Sequence, residues 1–258
     1  MTKIVSTHSY RGGTGKSNTT ANVAAALVRR GKRVAIVDTD IQSPGIHVLF
    51  NVDQQALRLT LNDYLWGRCR VEETAVDVTY AIVDGEGRSV VKPPGAVMFV
   101  PSSARAGEIA RVLKEGYDVG LLNDGFRDLS ERLALDYLLI DTHPGVNEET
   151  LLSIAVSDTL ILILRPDHQD YQGTSVTLEL ARRLEVPQLV LVVNKALQSF
   201  DFRQLSDRIS TMYRAPVAAV LPLSEDMVRL GSGGLFSLLV PDSIYAAGIE
   251  AIVDMIED

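Results

Sequence analysis

The chain has 258 residues, 46% of them hydrophobic, enough apolar material for one large core at a length that single α/β domains commonly reach. Its formal net charge of -8 excludes a generally basic nucleic-acid-binding surface, though not a local basic patch. A single cysteine, Cys69, excludes an internal disulfide and a cysteine-built metal cage within one chain, in keeping with a reducing compartment.

In chain order, no charged-then-apolar leader opens the sequence; Lys3–His8 reads as a strand and is followed by a helix from Lys16 to Arg30. Gly31 ends that helix, because glycine takes the left-handed cap without a steric penalty. Arg33–Asp38 is the next strand, and Ala96–Val100, Tyr137–Asp141, Thr159–Leu164, Leu189–Asn194 and Val217–Leu221 continue the series, each rich in Val, Leu and Ile. Runs apolar on both faces are what buried parallel strands require. Helical stretches lie between most of them, which predicts right-handed crossovers and a parallel sheet flanked on both sides. Thr79–Asp84 and Arg88–Lys92 bracket Gly85-Glu86-Gly87 and predict a β-hairpin insertion near 79–92, closed by Pro93-Pro94-Gly95. The longest apolar runs, such as Leu160–Leu164, are far shorter than the roughly 20 residues of a membrane-spanning helix. The chain is therefore expected to be one soluble, cytoplasmic domain.

"HSYRGGTGKSNTT", His8 to Thr20, ends a strand and begins a helix, the context that a phosphate-binding loop needs. Gly12, Gly13 and Gly15 let the backbone turn its amides inward, toward an anion that also faces the positive end of the helix dipole. Lys16 has the reach for the β- and γ-phosphates of a nucleotide, and the Ser17 hydroxyl is placed to ligate Mg²⁺. With Thr14 and Asn18, these residues form the candidate phosphate-binding set. The first glycine of the general pattern G-x-x-x-x-G-K-[ST] is replaced by Tyr10.

"RGGTGKS", with "VDTD" at Val37–Asp40 and "IDTHPG" at Ile140–Gly145, resembles the ParA/MinD ATPases and their deviant phosphate loop, in order and spacing over nearly the whole chain. The family's leading lysine is here Arg11. The resemblance implies a P-loop fold, ATP and Mg²⁺ as cofactors, and a homodimer that sandwiches two nucleotides. It implies that Arg11 crosses the dimer interface to the partner's phosphates, for which a permanently charged, planar guanidinium is suited. It also implies that Asp40 orients or activates the attacking water, that Asp38 and Asp141 support the Mg²⁺ shell, and that Gly145 lets its segment sense the γ-phosphate. Lys16, Asp40 and Arg11 are the candidate catalytic residues, and Ser17, Asp38 and Asp141 the candidate metal set. Alternation along a strand would turn Asp38 and Asp40 to the same side.

Asn194-Lys195 follows another apolar run. Where related GTPases carry a guanine-reading aspartate, this chain has Leu197, which favours ATP. By resemblance, Asn194 hydrogen-bonds adenine, Pro222 packs against the base, and Asp170 lies at a dimer or partner surface. His143 and His168 stand apart from any ligand cluster and are read as non-metal residues.

The effector surface decides what such an ATPase serves. The tail "AAGIEAIVDMIED" carries Ile249, Ile252, Val253 and Ile256 at helical spacing, but its other face is acidic: Glu250, Asp254 and Glu257. Anionic lipid would repel it, so membrane targeting by this tail is not expected. Partition-type members bind DNA nonspecifically, and Arg182, Arg183, Arg203, Arg208 and Arg214 are the local basic candidates. Two alternatives stay open: metal-cofactor maturation, whose members use paired cysteines that Cys69 alone does not provide, and a nucleotide-binding switch with negligible turnover. The expected role is an ATP-dependent dimer that positions or partitions a cargo and works with an adaptor or activating protein.

Overall fold

All seven apolar runs read as buried strands are strands in the computed structural model, which describes residues 1–258. They are β1 (Lys3–His8), β2 (Arg33–Asp38), β4 (Ala96–Val100), β5 (Tyr137–Asp141), β6 (Thr159–Leu164), β7 (Gln188–Ala196) and β8 (Val217–Pro222). An eighth, β3 (Val76–Asp77), is two residues long. The sheet runs β3-β4-β2-β5-β1-β6-β7-β8, and every pairing is parallel except β3 with β4. Helices cover both faces, so β5 and β6 are buried at every residue, and β1 and β2 at all but their first one or two.

The hairpin expected near 79–92 is reduced to a turn. Only Val83 and Ser89 form an antiparallel bridge, and Thr79–Ala81 is a short 3₁₀ turn. The Asp84 carboxylate closes the loop on itself, accepting from the amides of Glu86 at 2.9 Å and Arg88 at 3.0 Å. Side-chain bonds of this kind compete with a strand ladder. The antiparallel edge lies just before it, at β3, and ends where the Thr79 hydroxyl takes the Val97 amide at 3.0 Å.

The first helix, Lys16–Arg29, stops one residue short of the expected end, with Gly31 at φ 86° behind it. It packs against the last helix, Ile244–Glu257, whose Ile249, Ile252, Val253 and Ile256 are all buried in the main core. The acidic face of that last helix meets the end of the first. Arg30 lies 2.7 Å from Asp254 and 2.6 Å from Glu257, and Lys32 lies 3.1 Å from Glu257. The apolar stripe of the tail is thus core rather than a membrane anchor. No helix is long and apolar enough to cross a membrane.

What matters for the site is that β2, β5 and β1 are neighbours. Their register sets Asp38 beside Asp141, and Asp141 beside Thr7. Three carboxyl ends, remote in sequence, open onto one crevice, which is where ligands bind in open parallel sheets.

Candidate nucleotide-binding site

The loop between β1 and the first helix holds Gly13 at φ 74° and Gly15 at φ 95°, conformations that favour glycine. A Cβ at Gly15 would also overlap the Asn194 amide. The amides from Gly12 to Asn18 donate no hydrogen bond within the chain, and no side chain caps the helix. A bare row of N–H groups at a helix start is an anion cradle. Lys16, 7% exposed, points its ammonium to Asp141 at 3.2 Å. Ser17 donates to the other Asp141 oxygen at 2.6 Å, and Thr20 donates to the first at 3.3 Å.

Asp38 is fully buried. It accepts from the amides of Asp40 and Gly45, both at 3.1 Å. Burial, with Asp141 beside it, raises its carboxyl well above the usual carboxylate range. A divalent cation would relieve that crowding, and the hydroxyl and two carboxylates here form an oxygen donor set that suits Mg²⁺. The free amides, the lysine and this oxygen set therefore fit a Mg-nucleotide. Asp40 reaches the same crevice by a different route from strand alternation. β2 ends at Asp38, whose carboxylate takes the Asp40 amide, so a side-chain turn rather than the pleat directs Asp40.

His143, read from sequence as an isolated residue, lies 2.8 Å from Asp40 through Nδ1. The amide and hydroxyl of Ser43 bond to the same Asp40 oxygen at 3.1 and 3.0 Å. Burial would raise the Asp40 carboxyl, but the His143 hydrogen bond and the Lys16 charge hold it below the usual carboxylate range. The same bond raises His143. Beneath the loop His8 is buried and pushed down to about 3 by burial and by Lys16, so it is neutral and bonds to the Thr142 hydroxyl at 2.7 Å.

Asn194 braces the loop, donating to the Thr14 carbonyl at 2.8 Å. Lys195 does the same at Gly13, at 2.7 Å; its place beside Asn194 was the only signal for it. Pro222 is buried at the end of β8, and Leu197 is half-exposed. Arg11 lies 3.5 Å from Asp170 and 3.7 Å from Asp167. Asp170, expected at a surface, is 2% exposed, because Arg165 covers it through Nε at 3.0 Å and its own amide at 2.9 Å. Tyr10, in place of the first glycine of the general phosphate-loop pattern, lies over Gly173 in the helix His168–Arg183, where a Cβ would overlap its ring.

This geometry agrees with the comparison of the chain against known families: the CobQ/CobB/MinD/ParA nucleotide-binding domain matches residues 5–238. The chain belongs to this family. An uncharacterized ATP-binding protein of Methanocaldococcus jannaschii is 27% identical over 254 residues, covering 98% of this chain and 86% of that protein. An iron-sulfur cluster carrier protein of Pseudomonas fragi is 26% identical, covering 90% and 76%. The septum site-determining protein MinD of Pyrococcus horikoshii, solved with Mg-ADP, superposes with a TM-score of 0.78 at 21% identity, covering 100% of this chain and 97% of that one. The family is one of ParA/MinD P-loop ATPases, and this chain has its α/β fold.

Proposed function

We propose that the chain hydrolyses ATP with Mg²⁺, dimerises around the nucleotide, and uses that cycle to position or partition a cargo. The observation that carries this reading is the convergence on Asp141 of Lys16 and Ser17 under a loop of unbonded amides. In this reading the amides and Lys16 bind the triphosphate, and Ser17, Asp38 and Asp141 hold the metal. When bound, Mg²⁺ neutralises charge on the phosphates. Asp40, kept ionised by its neighbours, orients the attacking water. Arg11 reaches the phosphates of a second copy, and an adaptor or activating protein, with DNA as a further candidate surface, binds the dimer. The relative solved with Mg-ADP supports the choice of nucleotide.

The iron-sulfur carrier among the relatives keeps cofactor maturation in view. Cys69 is the only cysteine and lies on the segment after Trp66, away from the phosphate loop in sequence. A shared cluster would thus have one thiolate per chain, short of the pairs that such sites use. Steady-state ATP turnover of the wild type and Asp40→Ala tests the proposal. The mutant should lose most of the Mg²⁺-dependent rate. Equal rates, with candidate partners added, would make the chain a nucleotide-gated switch instead.

A further inference from the structure

The two oxygens of Asp40 are not equivalent. Oδ1 takes three hydrogen bonds, from His143 Nδ1 at 2.8 Å, the Ser43 amide at 3.1 Å and the Ser43 hydroxyl at 3.0 Å. Oδ2 takes none from the chain. A carboxylate oxygen with three donors has little left to offer, whereas its twin keeps its lone pairs. The two holding groups come from different segments. Ser43 belongs to the loop after β2, and His143 to the segment after β5, 103 residues from Asp40. That segment is itself anchored, since the His143 carbonyl accepts from the Thr150 hydroxyl at 3.2 Å and the Thr150 amide bonds Asn147 at 2.7 Å.

We propose that His143 is a positioning residue for hydrolysis: with Ser43 it pins Oδ1 of Asp40 and so presents Oδ2 to the attacking water. The assignment rests on the reading of Asp40 as the water-orienting residue. His143 transfers no proton in it. Its ring fixes the rotation of a carboxylate that would otherwise present either oxygen, and misorientation of this kind is costly for rate while leaving nucleotide binding intact.

The test compares ATP turnover, and binding of a nonhydrolysable ATP analogue, in wild type, His143→Ala, His143→Asn, Asp40→Ala and the Asp40→Ala/His143→Ala double mutant. Asparagine places an amide N–H near the position of Nδ1, so it should restore what alanine removes. The expected result is a fall in kcat of about tenfold for His143→Ala, with KM and analogue affinity within about twofold, most of the rate recovered in His143→Asn, and no added loss in the double mutant over Asp40→Ala. A poorly folded His143→Ala is replaced by Ser43→Ala, which removes one Oδ1 donor from the other segment and should also lower kcat alone. The proposal fails if Asp40→Ala slows turnover while His143→Ala does not, if asparagine is no better than alanine, or if the loss lies in nucleotide affinity. Equal turnover of wild type and Asp40→Ala would instead sink the ATPase reading, and this proposal with it.

Discussion

Arg11 Nη1 lies 3.5 Å from Asp170 Oδ1 of its own chain, at the start of the helix His168–Arg183. The guanidinium is 39% exposed, whereas Asp170 is buried and is held independently by Arg165 Nε at 3.0 Å. Asp170 therefore keeps a cationic partner when Arg11 leaves it, which suits the role proposed for Arg11 in the dimer. Arg11→Ala is therefore expected to abolish ATP-dependent dimers in sedimentation while monomer nucleotide binding persists, with thermal stability nearly unchanged. Arg11→Lys should keep some dimer. An undiminished ATP-bound dimer in Arg11→Ala would remove the role assigned to it.

Asp141 holds Lys16, Ser17 and Thr20 at once. Asp141→Ala leaves a nearly buried ammonium without its partner, a change worth about 3 kcal/mol or more. Mg-ATP at a hundred times its Kd should stabilise the wild type by about 2.7 kcal/mol, seen as a rise of several degrees in Tm. In Asp141→Ala that rise should vanish. In the wild type, chelation of Mg²⁺ should shrink it.

Tyr10 and Gly173 are matched by shape. Glycine inside a helix normally costs about 1 kcal/mol relative to alanine, so Gly173→Ala would be expected to stabilise. Here its methyl would overlap the Tyr10 ring, and overpacking of this kind costs about 1–3 kcal/mol. Urea denaturation should show Gly173→Ala destabilised in the wild type and neutral or stabilised in Tyr10→Ala. An equal effect in both backgrounds would show that the ring does not occupy that space.

Glu149 carries a pH signature. Burial pushes its carboxyl up to about 7, against the pull of Tyr117 and His143, from an ordinary value of 4.5. Between those values the unfolded chain releases the proton that the folded chain keeps, so the contribution to stability falls as pH rises from about 4.5 to about 7 and is flat beyond. Glu149→Gln should match the wild type near pH 4 and exceed it above pH 7 by on the order of 2 kcal/mol. Chemical denaturation at several pH values measures the difference.

Much of the fold was legible because its signals are local. β1, β2, β4, β5 and β6 have the bounds expected from their apolar runs, β8 runs on to Pro222, and β7 starts at Gln188 and ends at Ala196. The phosphate loop was legible for the same reason: strand, glycines, lysine and helix are contiguous. The segment 79–92 misled because Asp84 turned backbone amides to its own carboxylate, a competition that strand propensity does not register. His143 gave little sign of itself beyond standing two residues after Asp141. Its partner Asp40 is 103 residues away.

The sequence by itself determined that this chain would make a two-sided parallel sheet and a cationic glycine turn, since apolar runs and glycine conformations act within a few residues. Only the tertiary structure decided that β2, β5 and β1 would be neighbours, which apolar runs of similar composition do not specify. That adjacency brings Asp38 to Asp141 and lets His143 reach Asp40, and the pairing of β1 with β6 on its other side brings Arg11 to Asp170. Hydrogen bonds and ion pairs act over a few ångströms, so their partners are set by how distant segments pack rather than by their order in the chain.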